Sequence, residues 1–231
     1  MESIQIKSWP YAQYLAAFLI AVGISITLWY VVNVIPTLEA IHAAPIFDKL
    51  LSTNLLILYV HIATAIPPLA LGLITFSVRI RKFYPKVHRY IGTVYCACVW
   101  CSSVLGMLLA SANQLGLLAK LGFGTLGFMW FLTTTMAYIK AREKQFPQHR
   151  RWMIRSFALT LAVVSVRPMF WWPPSFIDFY DWYVIATWLC WVPNLIIAEI
   201  YVRCTTTTGE YNKSFFTSNI FISDIGHSRQ N

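Results

Sequence analysis

The sequence predicts an all-α bundle of about six membrane-spanning helices. Of its 231 residues, 58% are hydrophobic and only 12% are charged. The mean hydropathy of +0.57 is typical of polytopic membrane proteins and excludes an ordinary soluble domain. Apolar runs of about 20 residues, the length that crosses a hydrocarbon core, occur six times. They lie at about 13–33, 54–78, 90–112, 120–139, 153–172 and 182–202.

These six runs leave no room for a separate soluble domain. We therefore predict one transmembrane domain over residues 1–203. A flexible, polar, cytoplasmic tail is predicted over 204–231, because that segment is rich in Thr, Ser and Asn. The first run is longer than the apolar core of a signal peptide, which spans about 7 to 15 residues. It is therefore predicted to be a retained helix.

The basic residues indicate how the chain is oriented in the membrane. The formal net charge is +9, and if the spans alternate, 15 of the 18 lysines and arginines fall on one side. Only Lys49, Lys120 and Arg167 fall on the other side. The positive-inside rule explains this distribution and predicts that both termini are cytoplasmic, in a plasma membrane or a bacterial inner membrane. No basic soluble face remains that would bind nucleic acid.

The second run carries a polar stripe along an otherwise apolar helix. His61, Thr64, Pro68 and Thr75 are spaced by three, four and seven residues, which places them on one helical face. His61 is predicted to lie roughly 10 Å below the outer edge at 1.5 Å per residue. Two interpretations stay open for His61: an interhelical hydrogen bond, or a ligand-binding or proton-handling role.

The third and fourth runs carry small residues that predict close helix packing. Cys98, Ser102, Gly106 and Ala110 recur every four residues, and such a ridge lets two helices approach closely. The Cys98 to Cys101 CxxC pattern is interpreted in the same way, because the middle of a membrane does not favour a thiolate. The glycines of the fourth run, which are predicted to pack similarly, are Gly116, Gly122, Gly124 and Gly127.

The fifth and sixth runs contain charges that need partners. An ionisable group inside a bilayer is costly and is a functional-site hypothesis by default, which draws attention to Arg167. Depth alone predicts that Arg167 pairs with Asp178 or Asp181, and that Arg155 pairs with Glu199. Either pair is structural, or the arginines bind an anionic ligand. Both alternatives stay open.

Two histidines are predicted to lie at one depth on the cytoplasmic side. His88 precedes the third run and His149 precedes the fifth, and both runs lead outward. Each histidine is followed directly by arginine: Arg89 in the first case, Arg150 and Arg151 in the second. This shared depth is the most specific arrangement in the sequence.

The two histidine-containing blocks also carry a family resemblance. Residues 88–95 and 149–156, with His61 and Arg167, resemble the signature of an uncharacterised family of predicted membrane proteins that contains a domain of unknown function. The resemblance covers about residues 50–200. It implies a multi-pass helical fold and no particular activity. A more remote similarity, to b-type membrane cytochromes, rests on four or more helices with histidines near their ends.

The first functional hypothesis is a membrane redox protein that binds haem b. His88 and His149 would be the axial ligands of the iron, because haem iron takes imidazole axially. Arg89, Arg150, Arg151 or Arg155 would pair with the propionates at the membrane boundary. This hypothesis explains why two imidazoles lie at one depth beside a basic cluster.

The other hypotheses do not involve haem. The second is a binding or transport module for a lipid, quinone or organic acid, using Arg167 with His61 or the cytoplasmic arginines and histidines. The third is a membrane enzyme with His61 or His149 as acid or base. No zinc, nucleophile-elbow or phosphate-loop motif accompanies these histidines. The fourth is an accessory or assembly subunit that acts by helix packing with a partner protein.

Overall fold

The computed structural model describes residues 45–114, 116–171 and 174–205, together with Ser25. The side chains of residues 45–54, 78, 167 and 170–171 lie outside this description. The predicted first span at 13–33 and the predicted tail, apart from its first two residues, lie outside the described residues as well.

The described backbone is helical apart from short connections, and it contains no strand. In chain order the helices are α1 Pro45–Ala65, α2 Pro67–Phe76, α3 Val78–Phe83, α4 Pro85–Ala112, α5 Gly116–Arg142, α6 Phe146–Thr160, α7 Ala162–Trp171 and α8 Phe179–Leu189. A last helix, α9, covers 192–205.

Four segments of the described chain are long and apolar enough to cross a membrane. They are Leu55–Phe76, Pro85–Ala112, Gly116–Arg142 and Phe179–Thr205. They match the second, third, fourth and sixth predicted runs, and the predicted class, an all-α polytopic membrane bundle, is confirmed. Large apolar side chains such as Leu108 and Ile197 lie on the outside, where they contact the lipid bilayer.

The fifth predicted run is built from two shorter helices rather than one. Helices α6 and α7 are separated at Leu161, which follows the last residue of α6. The second and sixth predicted runs are also interrupted, between α1 and α2 and between α8 and α9, and each of these breaks has a proline beside it. Pro67 begins α2, and Pro193 lies in the first turn of α9, where a missing N–H is tolerated.

Helices α4 and α5 form the centre of the bundle. Helix α4 packs against α1, α2 and α5, and α5 packs against α4, α6 and α8. Helices α4 and α6 are not close-packed with each other; α5 lies against both of them. The space between α4 and α6 is called the α4–α6 gap below.

The predicted small-residue contacts are present at most of the positions. A methyl group added at Gly127 would lie 2.9 Å from the Met107 side chain, and one added at Gly106 would lie 3.0 Å from the His61 ring. Gly122 lies directly against Thr187 of α8. Gly124 has nothing within 4 Å of the equivalent position, so its small size is not needed for packing.

Candidate functional site at the basic end of the bundle

One end of the bundle collects most of the described positive charge. This basic end consists of α3, the first turns of α4 and α6, the last turn of α5 and the last turns of α9. Pro85 and Pro147 lie in the first turns of α4 and α6, positions where the fixed φ of proline favours a helix start. His88 and His149 follow within three residues of these prolines, so both histidines lie at this end.

His149 is held in a defined orientation by a hydrogen bond to α5. Its Nδ1 lies 2.8 Å from the carbonyl oxygen of Ala137. A carbonyl only accepts, so Nδ1–H is the donor and Nε2 keeps its lone pair in the neutral ring. Histidines that bind metals are commonly oriented in this way, through the nitrogen that does not ligate.

His88 is less completely bonded than His149. The Nδ1 atom of His88 is buried and has no hydrogen-bond partner among the described residues. Buried polar atoms are rarely left in this state, so this nitrogen is available to a bound molecule or water.

The helix register explains why the two histidines approach each other. Tyr95 lies seven residues after His88 on α4, and Ser156 lies seven residues after His149 on α6. Seven residues return a side chain to within about 20° of the same helical face. The Tyr95 hydroxyl contacts Ser156 Oγ at 2.8 Å across the α4–α6 gap. His88 and His149 therefore face the same gap, about two turns nearer the basic end.

Arg155 is paired within the protein, as its depth predicted. Arg155 Nη2 lies 2.7 Å from Glu199 Oε2, and Arg203 Nε lies 2.9 Å from Glu199 Oε1. The Arg155 guanidinium also lies over the Trp152 ring, 4.8 Å from its centroid. The predicted role of Arg155 in binding a cofactor stays a prediction, and its charge is already balanced by Glu199.

Many other cations at the basic end have no acidic partner. The Arg89 guanidinium bonds only to the Pro85 carbonyl, at 3.3 Å, and Arg151 is half-buried. Within the described part of the chain, the basic side chains of this end without a carboxylate at ion-pair distance are Arg79, Arg81, Lys82, Lys86, Arg89, Arg142, Lys144, Arg150 and Arg151. Among the described residues, the end of the bundle that holds His88 and His149 thus carries an excess of positive charge.

His61 belongs to a different part of the bundle. Its Nδ1 lies 2.9 Å from the Ser102 carbonyl oxygen, and Ser102 Oγ donates to the His61 carbonyl at 3.2 Å. These bonds join α1 to α4, which favours the interhelical interpretation of His61. Ser102 lies 14 residues beyond His88 on α4, about 21 Å along the axis. His61 therefore does not share a site with His88 and His149.

Arg167 was predicted to bind a ligand or to pair with an aspartate. Arg167 is a residue of α7, and its side chain lies outside the description. Its proposed ligand-binding role and its proposed pairing with Asp178 or Asp181 stay predictions. Asp178 itself caps α8 by accepting from the Tyr180 backbone N–H at 2.9 Å.

A buried cluster of hydroxyl groups lies in the α4–α6 gap, farther from the basic end than the two histidines. The sequence did not predict this cluster. Tyr95, Thr134 and Ser156 are fully buried, and Trp130 and Thr160 are nearly so. The sequence pattern that indicates this cluster is a shared spacing of seven residues, from His88 to Tyr95 and from His149 to Ser156. These five residues, which connect α4, α5 and α6, are called the hydroxyl bridge below.

The possible ligands at the basic end are the imidazoles of His88 and His149. Among the described residues, no three His, Cys, Asp or Glu side chains come together in a group that would hold a metal. Imidazole, the side-chain group of His88 and His149, is an axial ligand that haem iron accepts, and the His149 ring is anchored through Nδ1. The orphaned His88 nitrogen and the unpaired arginines are consistent with a group that carries carboxylates.

Comparison with known proteins identifies a family of predicted membrane proteins and gives no activity for it. The family model described as predicted membrane protein (DUF2306) matches residues 58–202. This range covers more than half of the chain and includes His61, His88, His149 and Glu199. No curated protein and no solved structure matches the chain.

Proposed function

Because the chain belongs to the DUF2306 family of predicted membrane proteins, whose activity is unassigned, we propose a function from its geometry. The protein is a membrane redox protein that holds haem b between His88 and His149. The observation that carries this proposal is the pair of imidazoles facing one gap between α4 and α6. The Tyr95 to Ser156 contact of 2.8 Å, which joins α4 and α6 about two turns from the histidines, supports it.

The protein groups around this gap have distinct tasks in the proposal. His88 and His149 hold the iron, and the Ala137 carbonyl keeps His149 in the tautomer that leaves Nε2 free. Arg89 and Arg151 bind the propionates, because each lacks a carboxylate partner among the described residues. Bound haem supplies one-electron transfer. Arg155 contributes less to propionate binding, because Glu199 already neutralises it.

The orientation in the membrane follows from the same charges. We place the basic end in the cytoplasm, with both termini on that side, in a plasma membrane or a bacterial inner membrane. The haem then lies near the cytoplasmic boundary, where a soluble electron donor or acceptor has access to it. A quinone in the bilayer, or a helix-packing partner protein, is an alternative redox partner.

The test is the absorption spectrum of the protein, expressed with a haem supply and purified in detergent. We expect a Soret band that shifts on reduction, with about one haem per chain. His88→Ala and His149→Ala lose this band, whereas His61→Ala, the matched histidine control on α1, retains it. Absence of the band from the wild-type protein would remove the proposal.

A second candidate function is the binding of an anionic amphipathic molecule at the basic end. It is favoured by the buried His88 Nδ1 and by the cations of the basic end, which have no hydrogen-bond partner and no carboxylate partner, respectively, among the described residues. The probe is phosphatidylglycerol added to the detergent-purified protein, with phosphatidylcholine as the control lipid. A higher unfolding temperature with phosphatidylglycerol alone, lost in Arg151→Gln, supports this function. Equal effects of the two lipids contradict it.

A further inference from the structure

The hydroxyl bridge is the direct connection across the α4–α6 gap. Helices α4 and α6 are not close-packed with each other, although α5 lies against both of them, and side chains connect the two helices directly at this depth. The Tyr95 hydroxyl contacts Ser156 Oγ at 2.8 Å and Thr160 Oγ1 at 3.0 Å, and both partners lie on α6. A fully buried aromatic side chain on α4 therefore spans the gap and ends in two hydrogen bonds on the opposite helix.

The polar atoms of the bridge satisfy one another completely. Thr160 Oγ1 accepts from Trp130 Nε1 at 3.0 Å and donates to the Ser156 carbonyl at 3.0 Å. Thr134 Oγ1 contacts Ser156 Oγ at 2.6 Å. The hydroxyl protons can then run from Thr134 to Ser156, from Ser156 to Tyr95 and from Tyr95 to Thr160. A buried network in which every member is paired is rigid and specifies one geometry.

The bridge and the histidines share the same two helices and the same register. His88 and Tyr95 are both residues of the uninterrupted helix α4, and His149 and Ser156 are both residues of α6. The separation that Tyr95 fixes is therefore carried to the histidines through about two turns of rigid helix, roughly 10 Å. No described hydrogen bond joins His88 to His149 directly, so their own contact does not set the distance.

We propose that Tyr95 is a positioning residue that sets the separation of His88 and His149 and thereby the width of the ligand site between them. This inference rests on the proposed function for its haem readouts. Its claim about the distance between the two helices has a readout that needs no haem.

The central variant is Tyr95→Phe, which keeps the ring and removes both hydrogen bonds to α6. Trp100→Phe is the matched control on the same helix, because it removes a hydrogen bond of 3.0 Å from Trp100 Nε1 to Thr135 on α5 outside the α4–α6 gap. Ser156→Ala removes only one of these two bonds, because the bond from Tyr95 to Thr160 remains, so its effect should be smaller than that of Tyr95→Phe. Ser156→Thr, which keeps a hydroxyl, should behave like the wild type.

The first readout is the distance between positions 89 and 150, measured by pulsed electron paramagnetic resonance. The spin labels are attached to non-canonical amino acids, so that the native cysteines do not react. We expect one narrow distance distribution in the wild type and in Trp100→Phe, and a broadened or shifted distribution in Tyr95→Phe. Identical distributions in all three proteins overturn the inference, whether or not haem is bound.

The second readout is the haem itself, followed by its rate of transfer to apomyoglobin and by the low-spin ferric signal. We expect Tyr95→Phe to lose haem about tenfold faster than the wild type, which is the scale of effects from residues that orient a metal ligand, and to show a shifted signal. A haem-free wild type whose distance distribution still broadens in Tyr95→Phe contradicts the proposed function alone. A haem-loaded Tyr95→Phe with wild-type distances and signal contradicts the positioning role alone.

Discussion

Tyr95 on α4 and Ser156 on α6 are joined by a hydrogen bond of 2.8 Å, and each lies seven residues beyond a histidine of the basic end. This relationship connects the core of the bundle to the candidate site. Helices α4 and α6 do not pack directly against each other, and the side chains of Tyr95 and Ser156 connect them. His88 and His149 lie on the same two helices, nearer the basic end. Substitutions can therefore distinguish the residues that maintain this arrangement from the residues that bind a ligand.

The first prediction concerns the close approach of α5 and α8 at Gly122. A methyl group in Gly122→Ala would meet the Thr187 side chain, with Cβ only 2.8 Å away, so we expect destabilisation of about 1 to 3 kcal/mol, as for other overpacked cores. Gly124→Ala is the control, because nothing lies within 4 Å of its added methyl. Unfolding temperatures in detergent measure both. Equal stability of the two variants would contradict the packing described for α5 and α8.

The second prediction concerns the ion pair between Arg155 and Glu199. Arg155→Gln leaves Glu199 with only the exposed Arg203. Both partners of the pair retain some exposure, so solvent screening limits the loss to about 1 kcal/mol, far below the cost for a fully buried pair. Arg203→Gln, at an exposed position, should cost about half of that or less. Denaturation at low and high salt distinguishes them, and a larger loss for Arg203→Gln would reverse the assignment.

The third prediction separates His61 from the basic end. His61→Ala removes the hydrogen bond of 2.9 Å from the His61 ring to the Ser102 carbonyl, and the bond from Ser102 Oγ to the His61 backbone carbonyl remains. The expected cost is about 0.6 to 2 kcal/mol, as for interhelical polar contacts in membranes. Because Ser102 lies about 21 Å from the level of His88, we expect no change in the distance between positions 89 and 150. Thermal unfolding and the spin-label distance are the two measurements. A changed distance with unchanged stability would show that His61 is coupled to the histidine pair.

The fourth prediction concerns the anchor of His149. His149→Gln keeps a donor for the Ala137 carbonyl but removes the imidazole, so we expect a folded protein with nearly wild-type stability and no haem. His149→Ala removes this hydrogen bond, although the Ala137 carbonyl keeps its backbone partner within α5, and should lose about 0.5 to 1.5 kcal/mol in addition. Circular dichroism melting and haem content measure the two effects separately. Full haem retention by His149→Gln would exclude His149 as a ligand.

The sequence predicted the parts of this structure that depend on hydropathy and charge. Four of the apolar runs form helices long enough to span the membrane. The pairing of Arg155 with Glu199 followed from depth alone, because a charge near the membrane boundary has few possible partners. The polar stripe left an interhelical hydrogen bond open as one of two interpretations of His61, and the small-residue ridge predicted close packing. Neither pattern named the contact of His61 with Ser102 and Gly106.

Two features depended on information that a single helix does not carry. The hydroxyl bridge uses Tyr, Ser and Thr side chains inside apolar runs, and their partners lie on helices more than 20 residues away in sequence. The interruption at Leu161 has no adjacent proline or glycine; Pro168 lies seven residues further, within α7. Both features arise from packing between helices, which the pattern of one helix does not specify.

The central claim, that His88 and His149 together hold one haem, is tested most directly by near-infrared magnetic circular dichroism of the oxidised purified protein. The spectrum identifies the axial ligands of haem iron. We expect the signature of two imidazole ligands in the wild type and in His61→Ala, and its loss in both His88→Ala and His149→Ala. A bound haem with a single imidazole, or with two imidazoles that survive either substitution, would contradict the claim.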